Sequence, residues 1–196
     1  TFEHQDFTDF GRYMPEAAAA LYASSLQAFP PVSNQMFSGM LYYALSTCPH
    51  LEQIEDMDDF LAGRILSKLG QYRDFDSFCG CIKSKNYTLT RITRALTHVM
   101  LRLTQSDMQR FLLLDAAPYV RILGFKKAAA PLLSALKANC DIPVITKAAD
   151  AGKRLNEYRM ALFEQNLFAD NLYRQVLNER GSRFIPHEFS RGLIIL

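Results

Sequence analysis

A chain of 196 residues, 49% apolar and 21% charged, is long enough to bury a core as one large domain or two small ones. It holds no apolar run near the roughly 18 residues of a membrane-spanning helix and opens with no charged-then-apolar leader, so neither a membrane partner nor secretion is expected, and a cytoplasmic location is. The net charge of +2 conceals opposite halves: residues 1–76 carry 11 acids against 4 bases and residues 77–196 carry 9 against 18, which implies an oriented electrostatic surface. Pro15-Glu16 opens an Ala-rich helix through Phe29, with proline in the first turn, and Pro30-Pro31 stops it. Asn34 is placed to cap a second helix to about Thr47, with Met36, Phe37, Met40, Leu41 and Leu45 on its apolar side, and Cys48-Pro49 ends it. A third helix is expected from Leu51 or Glu55 to Leu69, stopped by Gly70. Its acids Glu52, Glu55, Asp56, Asp58 and Asp59 complement the helix dipole, a role that leaves little for a metal at Asp58-Asp59. A short helix, Ser77 to Ile82, leads into a basic segment.

From Thr88 onward Leu89, Ile92, Leu96, Val99, Met100 and Leu103 fall at helical spacing on one stripe. Arg91, Arg94, His98 and Arg102 line the opposite stripe, and Lys83 and Lys85 lie just upstream. No acidic residue separates Asp76 from Asp107. A row of unneutralised arginines suits phosphates, whereas an ordinary solvated helix face has the same spacing. Tyr87 and Tyr119 set rings beside cations, where a ring can stack on an unpaired base or simply pack at the edge of the core.

Thr104 to Leu114 is expected as the next helix, with Ser106 a possible cap, and Asp115-Ala116-Ala117-Pro118 as the best internal boundary. Tyr119 to Leu123 reads as a strand broken by Gly124. Lys127 to Asn139 is helical from about Ala129 because of Pro131, and Ile142 to Thr146 is a second strand. Strand, helix and strand in so short a span imply a parallel β-α-β unit. A long helical region from Ala148 to Asn178 follows, then an extended tail. The expected architecture is mainly α: a multi-helix domain with a small β-α-β element of two short parallel strands in its second half. It divides into residues 1–115, which hold the basic helix, and residues 116–196, within one compact unit.

Catalytic chemistry is thinly represented. The four histidines are scattered, and there is neither a glycine-rich phosphate loop nor a nucleophile elbow. Cys79-Gly-Cys81 has no second pair or histidine at ligand spacing, so a reduced or buried thiol pair is expected and no metal site. The positive residues are the better lead, and beyond the helix they include Arg121, Lys126-Lys127, Lys147 and Lys153-Arg154. Lys126-Lys127 at a helix start opposes the dipole, so helix stability does not explain it.

Several of these segments resemble one family. Lys83-x-Lys85-Asn86-Tyr87-Thr88-Leu89-Thr90-Arg91-Ile92-x-Arg94 is similar to the K-x-K-R-Y-T-x-x-R-I-x-R signature of the bacterial tRNA(Met) cytidine acetate ligases. Pro118-Tyr119-Val120-Arg121-Ile122-Leu123-Gly124-Phe125 resembles their P-Y-A-R-V-L-G-F, and Ile142-Pro143-Val144-Ile145-Thr146-Lys147 their I-P-I-I-T-K. Ala169-x-x-Leu172-Tyr173 matches a late helix motif, while residues 1–82 match only loosely. Asn86 departs from the family, which has arginine there. The resemblance implies an enzyme that activates acetate with ATP, with Mg, to acetyl-adenylate and acetylates N4 of the wobble cytidine of elongator tRNA(Met). The family's N-terminal nucleotidyltransferase domain, with its H-x-G-H-type motif, is missing from this sequence. This chain is then the C-terminal domain alone, without catalytic residues or cofactor of its own, placing tRNA against that absent partner domain. Lys83, Lys85, Tyr87, Arg91, Arg94, Arg102, Arg121 and Lys126 are the residues expected to meet the tRNA. The alternative is a non-catalytic helical domain whose basic stripe packs on an acidic partner surface, the chain's own acidic half included.

Overall fold

The computed structural model describes residues 12–29, 31–114 and 117–196. His4, Pro30 and the Asp115-Ala116 half of the expected boundary lie outside these residues. Helix α1 (Glu16–Ala28) follows Pro15, whose fixed φ suits the position before a helix. Asn34 begins a 3-10 turn, Asn34–Phe37, and makes no side-chain cap; α2 (Ser38–Thr47) continues from it and buries Leu41 and Leu45.

The third helix is shorter than its apolar pattern suggests. Leu51–Gln53 is a 3-10 turn and α3 spans Asp59–Lys68, because the chain between them leaves helical geometry. Asp56 there has φ 63, the Glu55 amide donates to the Leu103 carbonyl at 3.0 Å, and Ile54 bridges Thr104. Gly70 lies within a further 3-10 turn, Leu69–Gln71. Asp74 caps α4 (Phe75–Ile82) and Thr88 caps α5 (Leu89–Leu101), each side chain accepting from the amide three residues on. Helix α6 (Gln105–Leu112) starts at a capping box of Thr104 and Asp107, so Thr104 is the cap and Ser106 is not.

Helix α5 packs against α2 and α4. Its residues Ile92, Ala95, Leu96 and Val99 meet Leu41, Leu45, Leu61, Ile65, Phe75, Phe78 and Ile82 in one buried cluster. Leu89, on the expected apolar stripe, is half exposed, and Leu103 lies beyond the helix end.

The second half contains the parallel β-α-β unit: β1 (Val120–Arg121), α7 (Ala130–Asn139) and β3 (Val144–Ile145), with Val120 opposite Val144 and Arg121 opposite Ile145. Gly124 does more than break the first strand. It starts β2 (Gly124–Phe125), which pairs in parallel with β4 (Ile194–Ile195) from the tail. A Cβ at Gly124 would lie 2.8 Å from the Ile194 carbonyl oxygen, so only glycine allows this approach. The expected helical region after β3 is interrupted: a 3-10 helix covers Ala148–Lys153, and α8 (Glu157–Arg180) starts anew from the Asn156 cap. Ile145, Ala148, Ala151, Leu155, Phe163 and Leu167 form a second buried cluster. Gln165 of α8 donates to the Leu101 carbonyl at 2.8 Å and Arg110 lies 5.7 Å over the Tyr158 ring, which ties the clusters together.

Candidate nucleic-acid interface

Helix α5 is amphipathic because two residue types alternate around it at different phases of the same 3.6 period. The apolar stripe drives burial against α2 and α4, and that burial fixes which way the basic stripe faces. The stripe is not the unneutralised row that the sequence suggests. Arg91 Nη2 donates to Asp58 Oδ2 at 2.7 Å, and Arg94 grips both oxygens of Asp56 through Nε and Nη2. His98 Nδ1 lies 3.2 Å from Asp56 Oδ2 and the same distance from the Glu55 carbonyl oxygen. These acids come from the loop before α3 and its cap. Asp58 serves three purposes at once: it caps α3 through the Leu61 amide, accepts the Tyr87 hydroxyl at 2.8 Å and pairs with Arg91.

Both carboxyls are held below the usual carboxylate value of 3.8. For Asp56 the hydrogen bond from Arg94 outweighs the opposing effect of burial; for Asp58 the Leu61 amide is the largest cause. The arginines nonetheless remain accessible, with side chains 39% exposed at Arg91 and 57% at Arg94. A guanidinium has five N–H donors in a planar fork, so a pair that uses one or two of them leaves others facing water. The ion pairs therefore hold both forks in fixed orientations without consuming them.

Tyr87 packs against the first core, its ring covered by Arg91 at 5.1 Å. Burial and the adjacent Asp58 push its hydroxyl pKa up. This is the core-edge arrangement, and Tyr119 repeats it, edge-on to Phe163 at 5.3 Å with its hydroxyl accepting from Asn166 at 2.6 Å. Lys83 and Lys85 stand exposed on the loop that feeds α5, and Arg102 stands exposed at its other end, where its φ of 53 closes the helix. Among the described residues none of these three side chains makes an ion pair.

Arg121 is placed differently. It pairs with Asp170 at 3.2 Å and with the buried Glu188, to which Arg191 also donates at 2.8 Å. Burial raises the Glu188 carboxyl, but the two guanidiniums outweigh it and leave the pKa lowered. Arg121 thus anchors the tail to β1, far from the α5 face in role. Lys126 is exposed and precedes the 3-10 turn Lys127–Ala129, where the Lys127 amide donates to the Leu196 carbonyl. The sequence sets Arg91, Arg94 and His98 on one stripe and offers the chain's own acidic half as a partner for it, but does not single out Asp56 and Asp58, whose only signal is opposite charge.

Cys79 and Cys81 are both free, and two residues apart on α4 they face different ways: Cys79 is buried and Cys81 exposed. Burial pushes the Cys79 thiol up to about 11, so it is inert at neutral pH. Among the described residues no group of three His, Cys, Asp or Glu side chains is arranged to hold a metal, and no helix is long and apolar enough to cross a membrane.

A family model described as HIGH Nucleotidyl Transferase matches residues 1–184. A tRNA(Met) cytidine acetate ligase of Bacillus cereus is 33% identical over 147 residues, covering 74% of this chain and 37% of the relative. The protein of the same name from Bacillus anthracis matches with the same identity and coverage. The chain thus spans well under half the length of these curated relatives. A crystal structure of Thermotoga maritima TmcAL bound with alpha-thio ATP superposes with a TM-score of 0.77 at 20% identity, over 93% of this chain and 47% of that one. The apo form of that protein gives the same TM-score and identity. At this identity the superposition establishes a shared fold.

Proposed function

We propose that this chain, which belongs to the HIGH nucleotidyl transferases and within them to the bacterial tRNA(Met) cytidine acetate ligase family, is the tRNA-engaging C-terminal domain of an ATP-dependent ligase. In this reading the longer enzyme forms acetyl-adenylate and transfers acetyl to N4 of the wobble cytidine of elongator tRNA(Met), while this chain holds the tRNA in place. The curated relatives' name, tRNA(Met) cytidine acetate ligase, supports the substrate and the transferred group.

One observation carries the assignment of a binding role to α5. Arg91 and Arg94 are oriented by Asp58 and Asp56 while their side chains stay 39% and 57% exposed, between Lys83, Lys85 and Arg102, which make no ion pair among the described residues. Guanidiniums held in this way lose less freedom when a phosphate takes their remaining N–H groups. Lys126 extends the basic surface in the second half, and Tyr87 contributes by supporting Arg91 from below. In this reading adenylate chemistry belongs to the rest of the proposed enzyme, which is supported by the lack of an H-x-G-H motif and of a glycine-rich phosphate loop in this sequence.

The test is binding of this chain to an elongator tRNA(Met) transcript, followed by ATP-dependent acetylation of that transcript by the longer protein. The double variant R91A/R94A should weaken both more than the loss of two cations alone would, because it also bares Asp56 and Asp58 toward the RNA. Unchanged binding by this variant would remove α5 from the interface. A second reading, that the stripe serves packing between proteins, is favoured by the same ion pairs, since they show that carboxylates suit these arginines as partners. It predicts no tRNA affinity in this chain and binding of an acidic protein surface instead.

A further inference from the structure

A second concentration of positive charge lies away from α5, in a cleft of about 580 Å³ where β3 runs into the following 3-10 helix. Its wall carries Lys137, Lys147, Lys153 and Arg154 against the single carboxylate of Asp150. The 3-10 register accounts for the arrangement. Residues three apart eclipse one another, so Asp150 and Lys153 form one row, with Lys147 at the extended N-cap before it, while Ala148 and Ala151 form another, buried on the second core. Burial of the small residues thus turns the charged row outward. Ile145, itself buried, floors the cleft, and the Thr146 hydroxyl accepts from Lys137 Nζ at 3.2 Å.

The charge here is handled unlike that on α5. Lys153 pairs with Asp150 at 2.6 Å, and the fields of Lys147 and Arg154 help Lys153 hold that carboxyl below its usual value. Lys147 and Arg154 themselves make no ion pair among the described residues. Four cations face one acid across a concave surface, which focuses positive potential where a flat surface would dissipate it. The cleft also opens at the carboxyl end of a parallel strand pair, the end at which open α/β sheets hold their ligands.

We infer that this cleft is a second phosphate-binding site of the chain, and that its occupant is the sugar–phosphate backbone of the RNA whose engagement is proposed above. The inference rests on that reading for the identity of the RNA and on the cleft alone for the phosphate. Lys147 and Arg154 supply the primary contacts, with Lys137 and the Thr146 hydroxyl beside them.

The experiment compares tRNA(Met) binding across a salt series for the wild-type chain, K147A/R154A, K147R/R154K and D150N, with K83A/K85A/R102A reporting on α5. Tripolyphosphate titration by calorimetry is the second probe. K147A/R154A should weaken tRNA binding and reduce the salt slope by about 1.4, roughly 0.7 per phosphate contact removed. K147R/R154K should keep the wild-type slope, and D150N, which removes the only acid, should tighten binding. The melting temperature of K147A/R154A should not move, since neither side chain is buried or paired. If that variant binds tRNA as the wild type does while K83A/K85A/R102A does not, the cleft is overturned and the α5 reading survives. If wild-type chain binds tripolyphosphate in a Lys147- and Arg154-dependent way but binds no tRNA, the RNA occupant is overturned together with the proposed function.

Discussion

Asp56 sits in left-handed backbone geometry, in contact with both Arg94 and His98, and is the residue on which the α5 face turns. Aspartate and asparagine tolerate that conformation better than other residues with a side chain, so D56N removes the charge and keeps the backbone. The variant should loosen the hold on the Arg94 fork and lower thermal stability, read by melting curves. The pH dependence has a fixed sign. Carboxyls held below 3.8 in the fold stabilise it fully above that value, and the contribution is lost as pH falls through the lowered pKa values of Asp56 and Asp58. D56N/D58N should therefore be less stable than the wild type at neutral pH, and the two should converge below pH 3.8. Melting curves across that range check it, and a constant gap at every pH would contradict it. Spacing alone made Arg91 and Arg94 visible, since residues three apart share a helix face. Their partners lie 33 and 38 positions earlier and reach them only because Glu55 and Ile54 pair with the segment after α5, which no local pattern announces.

Elements were most legible where an apolar period ran the length of the segment and no distant pairing interrupted it. Thr88 before Leu89, with Ile92, Leu96 and Val99 behind it, defines α5 from either end of the argument. T88A should cost about 1 kcal/mol of unfolding free energy through the lost cap. L96A, by emptying a fully buried site, should cost about 2–5 kcal/mol, both read by urea denaturation. Elements held by distant partners were less legible. Gly124 reads locally as a strand breaker, yet it opens β2 because the tail lies alongside it, and the tail's own sequence does not say where it will dock. G124A should force the Ile194 carbonyl away and loosen β4. The amides of Ile194 and Leu196, which donate to Leu123 and Phe125, should then exchange faster while α5 amides stay protected. Unchanged exchange at those two amides would mean that the approach is not tight.

Across the whole molecule, the acidic first part and the basic remainder do not simply face apart. The acids nearest α5 fold onto it and set its arginines, whereas the β3 cleft keeps most of its positive charge. Net charge of +2 therefore understates the local potential available to a polyanion. The chain's association with RNA should be governed by counterion release, and its steepness counts the phosphates engaged. The most direct measurement is the slope of log K against log salt for the wild-type chain and for K83A/K85A/R102A on an elongator tRNA(Met) transcript. With about seven phosphates met on single-stranded RNA, roughly five at the α5 face and two in the β3 cleft, the wild-type slope should be about −5, and the triple variant should be shallower by about 2. A wild-type chain that shows no binding at low salt, or a variant with the wild-type slope and affinity, would contradict a tRNA-holding role for the α5 face.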